Sequence, residues 1–269
     1  MAEAHAGVQK HYGSANVAGR IFDALKQAGE DPGRLKPEML YPLDQFHGGG
    51  VGATKANTAK LGLGAASHVL DVGSGVGGPA RYMALTYGCK VTGIDLTEEF
   101  VAAARDLTAR CGLADRIEFQ HGNALALPFA DAGFDAATCF NVTMNIEDKA
   151  GVAREIARVL KPGGRLAYTE TGIGPNAAPP YFPLPWAREP AVSFLVSPAR
   201  LREGLERAGF RILEFVDETG TMQAPAPSEL VRLGNQVVMG ADFVARIKNM
   251  GRSQAEGRLV STFVLAERG

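Results

Sequence analysis

The sequence predicts an α/β fold, a seven-stranded, mostly parallel sheet flanked by helices and preceded by an N-terminal helical cap. Three observations carry this expectation. Short apolar runs near 67–72, 90–95, 116–121, 134–140, 164–170, 210–216 and 258–266 alternate with segments of helical periodicity. The first run, His68-Val69-Leu70-Asp71-Val72, breaks into Gly73-Ser74-Gly75-Val76-Gly77-Gly78, a strand–turn–helix junction whose glycines permit positive φ and close approach of a ligand. The chain has 269 residues, of which 46% are hydrophobic: enough for one sizeable core with additions, too few for a second full domain.

The elements follow in order. Val17, Ile21, Phe22 and Leu25 stand at helical spacing and stop at Gly29, so a helix precedes the core. From Asp31 to Gly52 the chain turns rich in proline, glycine and aromatics, and Ala53 to Leu63 returns to a helical pattern. Residues 1–60 are therefore expected to cap the fold, with the core over 61–269. Thr97 is placed to cap a helix carrying Phe100, Val101, Ala104, Leu107 and Cys111, with Glu98 and Glu99 in its first turn. Ser197-Pro198 opens another helix that Gly209 closes. Leu160-Lys161-Pro162-Gly163-Gly164 reads as a helix-to-strand turn. Two segments exceed the minimal alternating unit: 172–196, dense in proline and aromatics, and 218–256, with a helix expected from Ser228. Both are expected on the substrate side; the first leaves the carboxyl end of a strand, where ligands of open α/β sheets bind.

Composition excludes several classes of function. With 28 basic and 29 acidic residues the net charge is −1, and no run of five like charges offers a basic face for nucleic acid. Apolar stretches are short and interrupted, and the start Met1-Ala2-Glu3-Ala4-His5 lacks a signal-like pattern, so a cytoplasmic protein with no membrane span is expected. Cys89, Cys111 and Cys139 are odd in number and widely spaced, which suits reduced thiols. A thiolate trio binding arsenite is the sharper alternative.

The glycine run and the strand after it define a nucleotide-like cofactor site. Lys90-Val91-Thr92-Gly93-Ile94-Asp95 ends in a carboxylate about 20 residues past the glycines, where such folds accept hydrogen bonds from ribose hydroxyls. Gly73-x-Gly75-x-x-Gly78 also satisfies the dinucleotide fingerprint, and an NAD-dependent oxidoreductase is the rival from another class. Asp71 shifts the balance: its charge would face a pyrophosphate but suits a cationic cofactor bearing an α-amino group, S-adenosyl-L-methionine.

On these residues, Asp71-x-Gly73-x-Gly75-x-Gly77 followed by Asp95, the chain resembles the Rossmann-like methyltransferases that use S-adenosylmethionine and release S-adenosyl-L-homocysteine. The resemblance implies cofactor contacts from Asp71, Gly73, Ser74, Gly75 and Gly77 in the loop and from Asp95 and Leu96 after the second strand. It adds Asn123 and Ala124, where the family usually has an acid at the first position, and Asn141 at the end of the fourth strand. Gln45 and Tyr12 are expected to cover the cofactor from the cap. Tyr41-Pro42-Leu43-Asp44-Gln45-Phe46-His47-Gly48-Gly49-Gly50, Met144-Asn145-Ile146-Glu147-Asp148-Lys149 and Phe182-Pro183-Leu184-Pro185-Trp186 together resemble the sarcosine and dimethylglycine N-methyltransferases.

That resemblance implies a small amino acid amine as methyl acceptor. Tyr41, Phe46, Tyr181 and Trp186 would enclose the developing ammonium, each face giving about 0.5–2 kcal/mol by cation–π attraction, with Met144 and Asn145 also on the substrate. His47 is the catalytic candidate, as proton acceptor or as partner of a carboxylate. No metal is expected. Arg188, Arg200 and Arg202 could clamp a carboxylate or be solvated helix charges. The rival acceptor is a carbon or oxygen of a quinone- or phenol-like ring. It requires a stronger base, and a mainly apolar cavity without a carboxylate clamp would favour it. A non-catalytic cofactor sensor has little support in the residues. The partners expected are a small-molecule substrate and no nucleic acid, with a homodimer admissible.

Overall fold

A computed structural model describes residues 16–220 and 233–269. Tyr12 and Ser228 lie outside the described residues. Before the sheet come helices α1 (Val17–Gln27), α2 (Pro37–Asp44) and α3 (Gly50–Thr58). The core then alternates β1 (His68–Val72), α4 (Gly78–Tyr87), β2 (Lys90–Asp95), α5 (Glu98–Arg110), β3 (Ile117–His121), β4 (Phe134–Phe140), α6 (Lys149–Val159) and β5 (Leu160–Ile173). It closes with α7 (Pro198–Arg207), β6 (Phe210–Asp217), the single turn α8 (Gln236–Met239), α9 (Phe243–Ala255) and β7 (Leu259–Arg268).

The sheet has seven strands in the order β3-β2-β1-β4-β5-β7-β6, parallel except for β7, which runs antiparallel to both neighbours. Strand order reverses between β1 and β4, so their carboxyl ends open the crevice where such sheets bind ligands. Side chains alternate between two apolar layers. Leu70, Ala137, Leu166 and Val264 pack with α6 and α7, whereas their chain neighbours Val69, Ala136, Ala167 and Leu265 pack with α4. A third cluster seats Ile21 and Leu25 of α1 and Leu40 and Leu43 of α2 on Val76, Phe100 and Leu107. Among the described residues no helix is long and apolar enough to cross a membrane.

Three local expectations change. The proline-rich stretch after Asp31 contains a true helix, because Pro37 occupies its first turn, where no N–H is needed, and burial of Leu40 and Leu43 outweighs the internal Pro42. Lys161–Gly164 is not a plain turn but a bulge inside β5. Leu160 already pairs with Phe134, and Arg165 resumes opposite Ala136, with Gly163 at φ 75°. Thr97 precedes α5 without a side-chain cap, and its N–H donates instead to Asp95 Oδ1 at 2.8 Å. Ser197 does cap α7, accepting from the Arg200 N–H at 3.4 Å. The cysteines are free, and burial pushes all three thiols up, most strongly at the fully buried Cys139, so they are poor thiolate donors. Among the described residues no group of three His, Cys, Asp or Glu is placed to hold a metal.

Candidate active site

The glycine loop is built by β1 and anchored by β2. The N–H groups of Gly73 and Ser74 both donate to the Ile94 carbonyl at 2.8 and 3.0 Å, and the Gly75 N–H donates to Asp95 Oδ2 at 2.8 Å. Asp95 thus accepts one backbone bond on each oxygen, leaving a further lone pair on each for a ligand. Gly73 and Gly75 have φ 69° and 53°, and a Cβ on Gly75 would meet the Phe46 ring at 3.0 Å. Both glycines line the cavity, and a Cβ on Gly73 would strike the Val142 side chain.

Above this floor lies a cavity of about 990 Å³. The half over the glycine loop is lined by Gly73, Gly75, Asp95, Leu96, Gly122, Asn123, Ala124 and Asn141. Asn141 closes β4 in the left-handed region at φ 55°, held by the Thr169 hydroxyl on its Oδ1 at 2.8 Å, and its own Nδ2 donates to Thr171. Asn123 turns its Oδ1 onto the Leu125 N–H at 2.9 Å. The other half is lined by Tyr41, Gln45, Phe46 and His47 from the N-terminal segment, by Met144 and Asn145 after β4, and by Pro185 and Trp186. Asn145 Nδ2 donates to the Trp186 carbonyl at 2.9 Å, and Trp186 Nε1 donates to Ser193, so the indole is anchored by its polar edge.

Four expected contacts are not on this wall. Asp71 and Ser74 sit beneath the loop, buried, each with one side-chain oxygen (Asp71 Oδ2 and Ser74 Oγ) lacking a partner. Burial pushes the Asp71 carboxyl up to about 7, with the Asp95 charge adding to this and the Thr138 hydroxyl on its Oδ1, at 2.7 Å, opposing it. Gly77 opens α4 at φ 86°, where a Cβ would strike Phe119 and Arg81, so its glycine serves helix–sheet packing. Tyr181 belongs to the outer surface: its ring lies between the guanidinium groups of Arg252 and Arg258, 3.8 and 4.1 Å from its centroid, and its hydroxyl bonds Glu256. Of the four aromatics expected on the acceptor, Tyr41, Phe46 and Trp186 line the cavity.

His47 faces the cavity with both ring nitrogens engaged, Nδ1 3.0 Å from the Gly48 carbonyl and Nε2 2.8 Å from Thr54 Oγ1. Burial pulls its pKa down to about 4, so the ring is neutral at pH 7. The wall residues that motif reading missed come largely from the second long segment: Leu233, Asn235 and Met239, then Phe243, Ile247 and Met250 of α9. The last three stand at i, i+4 and i+7, a helical stripe that the sequence does show. Among the described residues no lysine or arginine lines the cavity, whereas Asp95, Glu147 and Asp148 do. Arg188 instead pairs with Asp242 at 2.5 Å, and Arg202 with Glu206 at 3.7 Å.

A methyltransferase domain family matches residues 70–168, from β1 to β5. The chain is 35% identical over 164 residues to the O-methyltransferase resE of Aspergillus sclerotiorum, covering 61% of this chain and 62% of that protein. It is 34% identical over 158 residues to a glycine/sarcosine/dimethylglycine N-methyltransferase of Actinopolyspora halophila, covering 59% of this chain but 28% of that one. The chain thus spans less than two thirds of the length of either relative. The crystal structure of the [4+2]-cyclase SpnF superposes with a TM-score of 0.65 at 24% identity, covering 93% of this chain and 94% of that one, a likeness of fold. Residues 70–168, which carry the glycine loop and Asp95, thus form a methyltransferase domain.

Proposed function

We propose that the protein transfers a methyl group from S-adenosylmethionine to a hydroxyl of a neutral, largely apolar small molecule. The observation that carries this reading is the substrate half of the cavity, walled by aromatic, methionine and aliphatic side chains with no lysine or arginine among the described residues. A carboxylate taken from water into such a wall without a cation costs several kcal/mol, and the nearby acids would repel it. The amino acid acceptor implied by the resemblance is therefore disfavoured. An apolar acceptor instead gains about 25 cal/mol per Å² of surface buried.

The residues present fit the cofactor. Gly73 and Gly75 line the cavity at positive φ, and Asp95 keeps a lone pair on each oxygen beyond its bonds from the Gly75 and Thr97 N–H groups. Asp95 would hold the ribose hydroxyls, Leu96 and Ala124 would flank the adenine, and Asn123 and Asn141 would offer polar contacts beside it and the amino acid portion. When bound, S-adenosylmethionine would supply an activated methyl carbon on a sulfonium whose sulfur can keep the carbon–sulfur bonding pair when the acceptor oxygen takes that carbon.

The chain contributes orientation, exclusion of water and a place for one proton. Tyr41, Phe46 and Trp186 form an apolar, electron-rich enclosure. His47 lines the enclosure and would take the hydroxyl proton as the oxygen–carbon bond forms; by then that oxygen is acidic enough for a weak, neutral imidazole, so the stronger base expected for this acceptor is not needed.

The test is transfer of an isotopically labelled methyl group to a panel of phenols, aliphatic alcohols, quinols, sarcosine and dimethylglycine, read by mass spectrometry. Methyl ethers of apolar hydroxyl compounds are expected. Turnover confined to sarcosine or dimethylglycine would refute the proposal, and products methylated on carbon would move it to the ring-carbon acceptor.

A further inference from the structure

The two long segments of the chain meet along one face of α9. Arg246, Asn249 and Ser253 stand at i, i+3 and i+7, and each bonds a main-chain atom of the stretch 181–185. Arg246 Nη1 donates to the Pro185 carbonyl at 3.4 Å, Asn249 Nδ2 donates to the Pro183 carbonyl at 3.1 Å, and Ser253 Oγ accepts from the Tyr181 N–H at 2.9 Å. The partners fall at every second residue and run against the helix, so the stretch is laced to α9 in one register. Phe243, Ile247 and Met250, which wall the cavity, lie about a quarter turn round the same helix.

Arg246 is fully buried and does not itself line the cavity. Its Nη2 donates to the Met239 carbonyl at 2.7 Å and to Asp242 Oδ1 at 2.6 Å, and Asp242 in turn accepts from Arg188 at 2.5 Å. Met239 and Pro185 are both wall residues, so one guanidinium joins the two segments behind the wall. Trp186 follows Pro185 directly. Leu184 and Ala187 exchange backbone bonds of 2.7 and 3.2 Å on either side of it, and Leu184, Trp186 and Ala187 pack with Met144 and with Met250 of α9.

We infer that Arg246 and Asn249 are positioning residues for the acceptor: by lacing 183–185 to α9 they set the gap between Trp186 and the Phe243, Ile247 and Met250 stripe, and with it the breadth of apolar molecule that the wall admits. This rests on the reading of that half of the cavity as the acceptor side. The bonds are made to main-chain carbonyls, so the register does not depend on which side chains the 183–185 stretch carries. A planar fork that serves two carbonyls and a carboxylate at once is a demand that arginine meets and the point donor of lysine does not.

Trp186 is the single tryptophan of the chain, so tryptophan fluorescence of the full-length protein reports this gap alone. The variants are Asn249→Ala and Arg246→Met, each compared with wild type once circular dichroism shows it folded. Arg246→Met leaves Asp242 paired with Arg188 and no buried charge behind. Asn249→Ala cuts only one half-buried bond and carries the test if Arg246→Met does not fold. A red-shifted emission and stronger acrylamide quenching are expected in both. The KM of the phenol, alcohol or quinol that wild type methylates fastest should rise about 3- to 10-fold, with the dissociation constant of S-adenosylhomocysteine within about twofold of wild type. Unchanged emission and quenching overturn the lacing, and a changed Trp186 signal with unaltered acceptor KM overturns the positioning role. Where the loss falls on S-adenosylhomocysteine affinity instead, the assignment of that half to the acceptor fails, which the fluorescence distinguishes from failure of the lacing.

Discussion

Asp44 and Arg81 form an ion pair with side chains 1% and 0% exposed, and the two halves should fail differently when cut. In Asp44→Leu the guanidinium stays buried, and arginine cannot deprotonate to relieve itself, so about 3–5 kcal/mol of stability should be lost at any pH between 5 and 8. In Arg81→Met the orphan is a carboxyl, which can take up a proton; burial already pushes its pKa upward. Keeping a carboxyl neutral in the fold, against an unfolded pKa near 3.9, costs at most about 4 kcal/mol at pH 7 and about 1.5 at pH 5. The sign follows from the raised folded pKa: stability is present at low pH and lost as pH rises toward that pKa. Relative to wild type at each pH, Arg81→Met should therefore regain about 2.5 kcal/mol between pH 7 and pH 5, while Asp44→Leu should not. Asp44→Leu with Arg81→Met should be more stable than Asp44→Leu alone, because no buried charge remains. Urea midpoints at both pH values, with slopes checked for constancy, measure each difference. An Arg81→Met penalty that does not change with pH, or a double variant worse than Asp44→Leu, would refute the argument.

Further consequences concern the cofactor floor and the surface. Asp95→Ala removes two charge-assisted acceptors and should weaken S-adenosylmethionine binding by about 10²-fold or more, read by titration calorimetry; unchanged affinity would remove Asp95 from the site. Asp71, with a folded pKa near 7 against about 3.8 unfolded, is favourable only while protonated, so Asp71→Asn should raise the Tm of the ligand-free protein at pH 8 and leave it nearly unchanged at pH 4. Equal shifts at both pH values would contradict the burial argument. Gly75→Ala places a methyl group 3.0 Å from the Phe46 ring at a positive φ and should weaken cofactor binding more than it lowers Tm; calorimetry against thermal melts separates the two. Tyr181→Ala should cost stability through its two guanidinium contacts yet leave acceptor KM unaltered in steady-state assays.

Local chemistry made much of this protein legible in advance. All seven strands lie where apolar runs meet turn residues, and the junction at Gly73 and the carboxylate at Asp95 stand at a spacing that only a β–turn–α unit requires. The helix over Pro37–Asp44 was hidden because its prolines argue locally against it, while its stability comes from Leu40 and Leu43 docking on Val76 and Leu107, contacts distant in sequence. Tyr181 and Trp186, five positions apart, carry the same aromatic signal, and nothing local says that one meets two arginines at the surface while the other walls the cavity. The same holds for His47. Its residue type announces proton chemistry, but the orientation of its ring depends on Thr54, Gln45, Asp44 and Arg81, the last of them 34 positions away.

The sequence by itself determined the parallel sheet and the glycine loop, because those depend on periodicity and on glycines and an acid at short, fixed separations. Tertiary structure alone decided the half of the cavity away from the glycine loop. That wall is assembled from α2, the turn after β4, Pro185-Trp186 and the Phe243–Ile247–Met250 stripe of α9, and its lack of lysine and arginine among the described residues is a property of side chains gathered from across the chain. Burial then set the charge states of Asp71 and His47, since desolvation acts only on groups that folding has removed from water.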